Sequence, residues 1–179
     1  MGETYVENLF GNYQKSRTVT NDVYYTPDDL AKLVVKTFRP RGKKLEPFAG
    51  KGVFLKYLKN ADWCELSKGK NFFSYREKVD WIVTTPPFSK LTNFLIHSMN
   101  LSNNIVFILY LQSLFTNKRV REIHNNGFGI KTVLYLKQPD TWQQTGRQLA
   151  AVHLKKGYRK LCEFKYSKDF NKPYKRFKR

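Results

Sequence analysis

Ile105 to Leu111 reads Ile-Val-Phe-Ile-Leu-Tyr-Leu, an unbroken apolar run with β-branched and aromatic character. A strand with no polar face has to be covered on both sides, which points to a sheet sandwiched between helices. The rest of the chain supplies both kinds of element. Lys44–Phe48, Asp62–Glu65, Trp81–Thr84, Thr132–Leu136 and Leu149–Leu154 read as strands. Helical signals cover 30–38, Val53–Lys59, Leu91–Asn100 and Lys118–Asn126, the last ending at Gly127. Leu30, Leu33, Val34 and Phe38 have helical spacing, with Thr26 as the expected N-cap and Pro27 at the first helical position.

Strands alternating with helices imply an α/β fold with a mostly parallel central sheet and helices on both faces. Right-handed crossovers then place the loops after the strands along one edge, where open α/β sheets bind ligands. Gly50, Glu65, Asn71 and Thr85 all fall just after strands, so one crevice is expected to collect them.

The chain's 33 Lys and Arg outnumber its 14 Asp and Glu, for a formal charge of +19. An excess of that size calls for a polyanionic partner, with nucleic acid ahead of an anionic membrane surface. No apolar run approaches a membrane span, and the N-terminus lacks a signal-peptide core. Two cysteines, Cys64 and Cys162, without metal-site spacing suggest a reducing, intracellular (cytoplasmic) setting. His97, His124 and His153 are scattered, which argues against a zinc enzyme. Residues 1–22 are polar and read as a loosely held arm, and 156–179 as a basic, aromatic C-terminal tail.

Two loops carry distinctive chemistry. Trp81-Ile82-Val83-Thr84 runs directly into Thr85-Pro86-Pro87-Phe88. Adjacent prolines donate no backbone hydrogen bonds, so the strand stops with free carbonyls beside an aromatic ring. That suits a flat group bearing an NH2. Upstream, Glu46-Pro47-Phe48-Ala49-Gly50-Lys51-Gly52 is a strand, a glycine turn and a helix start. Its glycines let backbone approach a ligand, and the Walker pattern of nucleotide hydrolases is absent. Glu65 is placed to accept from ribose hydroxyls.

Taken in order, Tyr25-Thr26-Pro27, Glu46 to Gly52, Glu65, Asn71-Phe72-Phe73 and Thr85-Pro86-Pro87-Phe88 resemble the motifs of S-adenosylmethionine-dependent amino-methyltransferases. The match is nearest to small phage and restriction-associated DNA adenine-N6 enzymes, over roughly residues 20–155. The resemblance implies a Rossmann-like class I methyltransferase domain over 23–155 that binds S-adenosyl-L-methionine. It would have Tyr25, Thr26, Pro27 and Phe48 line the methionine end, beside the Glu46-Pro47 strand end. Ala49, Gly50 and Gly52 would pass beneath, Glu65 would hold the ribose, and Asn71 and Phe72 would meet the adenine. Thr85, also placed against the cofactor, and the Pro86 carbonyl would accept from the target amine, beside Pro87, with Phe88 stacking on a flipped base.

Thr85 departs from that family, which usually has Asp, Asn or Ser there. A threonine hydroxyl is shorter than an asparagine amide and also donates. Loss of one transition-state hydrogen bond costs on the order of 10²–10³ in rate. Three readings therefore stand side by side: a DNA adenine-N6 methyltransferase, a weak or silent relative that binds nucleic acid, and an RNA methyltransferase acting on guanine N2 or adenine N6.

From Lys155 onward, Lys155, Lys156, Arg159 and Lys160 open a cation-rich stretch interleaved with Tyr158, Phe164, Tyr166 and Phe170. Cations with stacking faces are a single-strand-binding composition. Lys118, Arg119, Trp142 and Arg147 are further expected nucleic-acid contacts. No segment is left over for a target-recognition domain, so sequence selectivity is expected to be low, or to fall to the termini or to a partner subunit.

Overall fold

The computed structural model describes residues 25–171 together with two short N-terminal strands, β1 (Tyr5–Glu7) and β2 (Tyr13–Lys15), which pair antiparallel. The rest of the expected N-terminal arm and the tail beyond residue 171 lie outside the described residues. The body is a seven-stranded sheet of order β4-β3-β5-β6-β8-β7-β9. Its strands are β3 (Lys44–Glu46), β4 (Asp62–Trp63), β5 (Trp81–Thr84), β6 (Asn104–Tyr110), β7 (Phe128–Leu136), β8 (Leu149–Lys156) and β9 (Glu163–Tyr166). β4, β3, β5 and β6 pair parallel, β8 runs antiparallel between β6 and β7, and β9 pairs parallel with β7.

Side chains alternate between two cores because successive residues of a strand face opposite ways. Ile82, Ile105, Phe107 and Leu109 face one core, where α2 (Leu91–Leu101) lays Leu91, Leu95 and Met99, and α4 (Asn117–Asn125) adds Ile123. Val83, Val106 and Ile108 face the other, covered by Leu30, Ala31 and Val34 of α1 (Asp28–Phe38) and by Phe54 and Leu58. Residues 105–110 are all buried, as an all-apolar central strand must be.

Several elements differ from expectation. α1 begins after Pro27, whose extended backbone is the N-cap and makes no side-chain cap bond. Thr26 does not cap the helix because its hydroxyl is engaged elsewhere. Val53–Lys59 forms only a 3₁₀ turn at Phe54–Lys56, pinched between the left-handed backbone of Gly52 and of Asn60. β4 stops at Trp63 because its partner β3 ends at Glu46: the Phe48 amide, next in line to continue the ladder, turns back to the Glu46 side chain. β7 starts four residues earlier than its pattern suggests, through Gly129, where a Cβ would fall 2.2 Å from the Tyr158 carbonyl oxygen. β8 runs on to Lys156, and β9 extends the sheet beyond it.

Candidate functional site

The carboxyl ends of β3, β4 and β5 open on one cavity of about 790 Å³. Twelve of the residues expected at a site line it: Tyr25 and Thr26; Pro47, Phe48, Ala49 and Gly50; Glu65; Asn71 and Phe72; and Thr85, Pro86 and Pro87. Pro27, Glu46, Gly52 and Phe88 are not in its wall.

The glycine turn is held open by backbone conformation. Gly50 has φ +50°, and its amide donates to Glu65 Oε2 at 2.7 Å. Gly52, at φ +78°, donates to the Ala49 carbonyl. A side chain at either glycine would force a left-handed conformation that L residues rarely adopt. At Gly50 the new Cβ would also meet the Tyr25 ring at 3.5 Å. Lys51 sits over that ring, its Nζ 4.5 Å from the centroid.

Glu65 anchors the opposite side. Its Oε1 accepts from the Ser67 amide at 3.1 Å and the Ser67 hydroxyl at 2.7 Å. Partial burial on its own would push the carboxyl up. The hydrogen bonds from Ser67 and Gly50 outweigh it and hold Glu65 below the ordinary carboxylate range, so it is an anion at neutral pH. Leu66, three-quarters exposed, adds an apolar face on the rim. Asn71 Oδ1 accepts from the Phe73 amide at 3.0 Å and caps the 3₁₀ turn that presents Phe72 and Phe73. Phe48 packs edge-on to Phe72 and Phe94, and Phe73 stacks on Phe94 at 5.2 Å.

Glu46 belongs beneath this surface rather than in it. It is 1% exposed; its Oε1 accepts from the Thr84 hydroxyl and, at 3.1 Å, from the Phe48 amide. Burial pushes its carboxyl up to about 8, so it is mostly protonated at neutral pH. Its place as a cofactor contact is corrected to a buried strut joining β3, β5 and the turn. Such a strut holds the floor of the cavity.

At the Pro-Pro turn, Thr85 Oγ1 lies 2.7 Å from Thr26 Oγ1. Thr26 is itself held, because the Trp142 indole N–H donates to the Tyr25 carbonyl at 3.0 Å. Phe88 packs against Tyr110, with centroids 5.2 Å apart, and Arg147 lies over the other ring of that pair at 6.0 Å. Tyr110 is buried, and its hydroxyl has no hydrogen-bond partner among the described residues.

The expected nucleic-acid residues scatter. Trp142 is 4% exposed, so it has no free face to stack on a base; it supports the Tyr25-Thr26 segment instead. Arg119 donates to the Thr92 hydroxyl and the Ser113 carbonyl, and burial lowers its pKa, so its guanidinium is spent inside the fold. Lys155 and Lys156 pair with Asn104 and Phe128, the starts of β6 and β7, because β8 runs antiparallel to both. They lie at the edge opposite the cavity. Arg159 donates to the Phe128 carbonyl at that same edge, with exposed Lys160 next to it in the chain. Lys118 is exposed on α4. The cations that do line the cavity are Lys51, Lys56 and Lys90, which the sequence reading passed over. Ser67 joins them in the cavity wall, and Glu65-Leu66-Ser67 has the local signature of a carboxylate cap.

No protein-family model matches the sequence, and no curated protein does. Solved structures do match. A Listeria monocytogenes protein described as a class I S-adenosylmethionine-dependent methyltransferase aligns with TM-score 0.60 and 13% identity, over 84% of this chain and 68% of that one. The M protein of the type I restriction enzyme EcoKI gives TM-score 0.60 at 16% identity, over 78% of this chain. Only 45% of the EcoKI chain is spanned. A Pyrococcus horikoshii protein described as an RNA methyltransferase gives 0.53 at 16% identity, over 72% of this chain and 81% of that one. The strand order, the cavity at the carboxyl edge and these alignments agree: the chain has the Rossmann-like fold of the class I S-adenosylmethionine-dependent methyltransferases.

Proposed function

We propose that the protein transfers the methyl group of S-adenosylmethionine to an exocyclic amine of a nucleic acid, with adenine N6 in DNA as the favoured target. The observation that carries this reading is that the Gly50–Glu65 cradle and the Thr85-Pro86-Pro87 turn line one cavity. Its volume lies within the range of small-molecule sites.

The residues present fit the cofactor. The anionic Glu65 offers acceptors to ribose hydroxyls, and Leu66 and Phe72 offer apolar faces to a purine. The side-chain-free backbone at Gly50 allows close approach where a Cβ would meet Tyr25. Bound there, the cofactor would supply an electrophilic methyl group and leave as the thioether, while the methylated amine would release one N–H proton to water. The protein's part is to align the amine and draw its lone pair outward. The carbonyl of Pro86 accepts one N–H and Thr85 the other.

Thr26 makes this workable for a threonine. When Thr85 donates its own proton to Thr26 across the 2.7 Å contact, both Thr85 lone pairs remain to accept from the amine. The hydroxyl then does the work of an amide oxygen. Phe88 and Arg147, backed by the buried Tyr110, form the neighbouring ground for the target base. Selectivity for a target sequence would be low, or supplied by a partner subunit or by the termini.

Purified protein with methyl-labelled cofactor and oligonucleotides with or without adenine tests the reading. Label should enter only adenine-bearing strands and appear as N6-methyladenine by nucleoside mass spectrometry. N2-methylguanine, or label only in RNA, would shift the substrate; no transfer to any strand would sink the enzyme reading. The second reading, a silent nucleic-acid-binding relative, is favoured by the same Thr26–Thr85 bond if Thr26 is the donor. Calorimetric binding of cofactor without any transfer would select it.

A further inference from the structure

At the far end of the sheet, four aromatic rings form a continuous row across β7, β9 and the turn that follows. Tyr135 stacks on Tyr166 with centroids 5.1 Å apart and planes within 12°, and on Phe164 at 6.0 Å and 21°. Phe170 closes the row edge-on to both tyrosines. Ordinary core packing would bury such rings. Here Phe164 is 55% exposed, Tyr166 63% and Phe170 44%. Single exposed aromatics need no explanation; a contiguous stacked row does.

We propose that this row is a second binding surface, one for single-stranded nucleic acid. Phe164, Tyr135 and Tyr166 are already near-parallel and stacked, as bases are, and stacking on aromatic faces does not depend on base identity. Lys168 is exposed between Tyr166 and Phe170, and Lys165 stands between Phe164 and Tyr166 on β9. A second copy of the chain is the competing occupant. It would bring another +19 charges against the same surface, whereas a polyanion is attracted.

The placement gives the surface a purpose. β9 runs parallel to β7, and β7 runs in the same sense as β6 and β5, so Tyr166 lies at the edge that carries Thr85. Four strand spacings separate β5 from β9, about 19 Å at the usual interval. A strand entering the cavity with one base can therefore rest a flanking stretch on the row.

The surface is tested apart from methyl transfer with a fluorescein-labelled, thymine-only oligodeoxynucleotide, which has no exocyclic amine for the Thr85 turn. Fluorescence anisotropy of the full chain should show binding that weakens about tenfold or more in Phe164→Leu/Tyr166→Leu. The exchange Phe164→Tyr/Tyr166→Phe should bind like the unchanged protein. The dependence of affinity on salt should keep its slope, since no cation is removed. Unchanged affinity in the double-leucine variant overturns the proposal. So does sedimentation showing a dimer of the unchanged protein that the variant dissociates, because the row would then be a self-association face. If the double-leucine variant loses its fold, Tyr166→Trp decides: quenching of its fluorescence by the oligonucleotide supports the surface, and no quenching overturns it.

Discussion

Thr26 and Thr85 are 59 positions apart in sequence, yet their hydroxyl oxygens lie 2.7 Å from each other. One residue opens the segment leading into α1, and the other opens the Pro-Pro turn. If Thr26 serves as the acceptor that frees Thr85, Thr26→Val should slow methyl transfer by tenfold or more at saturating cofactor. Thr26→Ser should keep most of the rate. In a Thr85→Asn background the amide oxygen accepts without needing a proton sink, so Thr26→Val should then cost little. Single-turnover rates of the single and double variants measure this coupling. Equal losses in both backgrounds would make the contact merely structural.

Glu65 gathers three hydrogen bonds while keeping its charge. Glu65→Gln should weaken cofactor binding about tenfold, a change of about 1.4 kcal/mol, because a neutral amide is the poorer acceptor. Because its carboxyl is held below the ordinary range, wild-type affinity should stay level as pH falls from 7 to 5. Isothermal calorimetry across that interval gives both numbers. An affinity that drops by pH 5 would place another titrating group at the site.

Trp142→Phe replaces the buried indole by a smaller ring without an N–H and leaves the Tyr25 carbonyl without that donor. The expected loss is about 1–3 kcal/mol of stability by urea unfolding. The rate should fall further than stability accounts for, since the Tyr25-Thr26 segment loses its tether. Trp142→Ala adds a cavity and should cost more.

Two buried groups set the pH range of stability. Burial raises the Glu46 carboxyl to about 8, above its ordinary 4.5; the fold therefore holds a proton that the unfolded chain releases, and this contribution fades as pH rises toward 8. Burial, then the charges of Lys131 and Lys155, lower His153 to about 4, so its contribution fades as pH falls from 6.5 toward 4. Between 4.5 and 6.5 the two slopes oppose each other; above 6.5 only Glu46 acts, and stability should decline. Denaturation of Glu46→Gln at both ends of the range isolates the carboxyl. The variant should lose the decline above pH 6.5. A decline of equal size in both proteins would rule Glu46 out.

The sheet and the cavity-lining loops were legible because their signals are local. An all-apolar run makes β6, a glycine turn follows β3, and Pro86-Pro87 ends β5. What the sequence hid depends on partners far along the chain. Thr26 looks like a helix cap until Thr85 is brought beside it. Trp142 looks like a surface aromatic until Tyr25 takes its N–H. Lys155 and Lys156 look like part of a nucleic-acid site until the antiparallel course of β8 carries them to the opposite edge. Glu46 reads as a ligand residue because it leads into the glycine turn, but both faces of β3 are covered, so it is buried along with Leu45.

The Trp142–Tyr25 hydrogen bond closes a loop of 117 residues, from just before the first helix to the connection between β7 and β8. Loop closure of that length carries an entropic cost, and β8, which bridges β6 and β7, follows Trp142 in the chain, so the sheet that offsets the cost is completed only after this segment. The cavity wall that Tyr25 and Thr26 supply is therefore among the last parts of the molecule to set during folding. On a ribosome, a chain halted before the β7–β8 connection would present the glycine turn and the Pro-Pro turn without their shared wall.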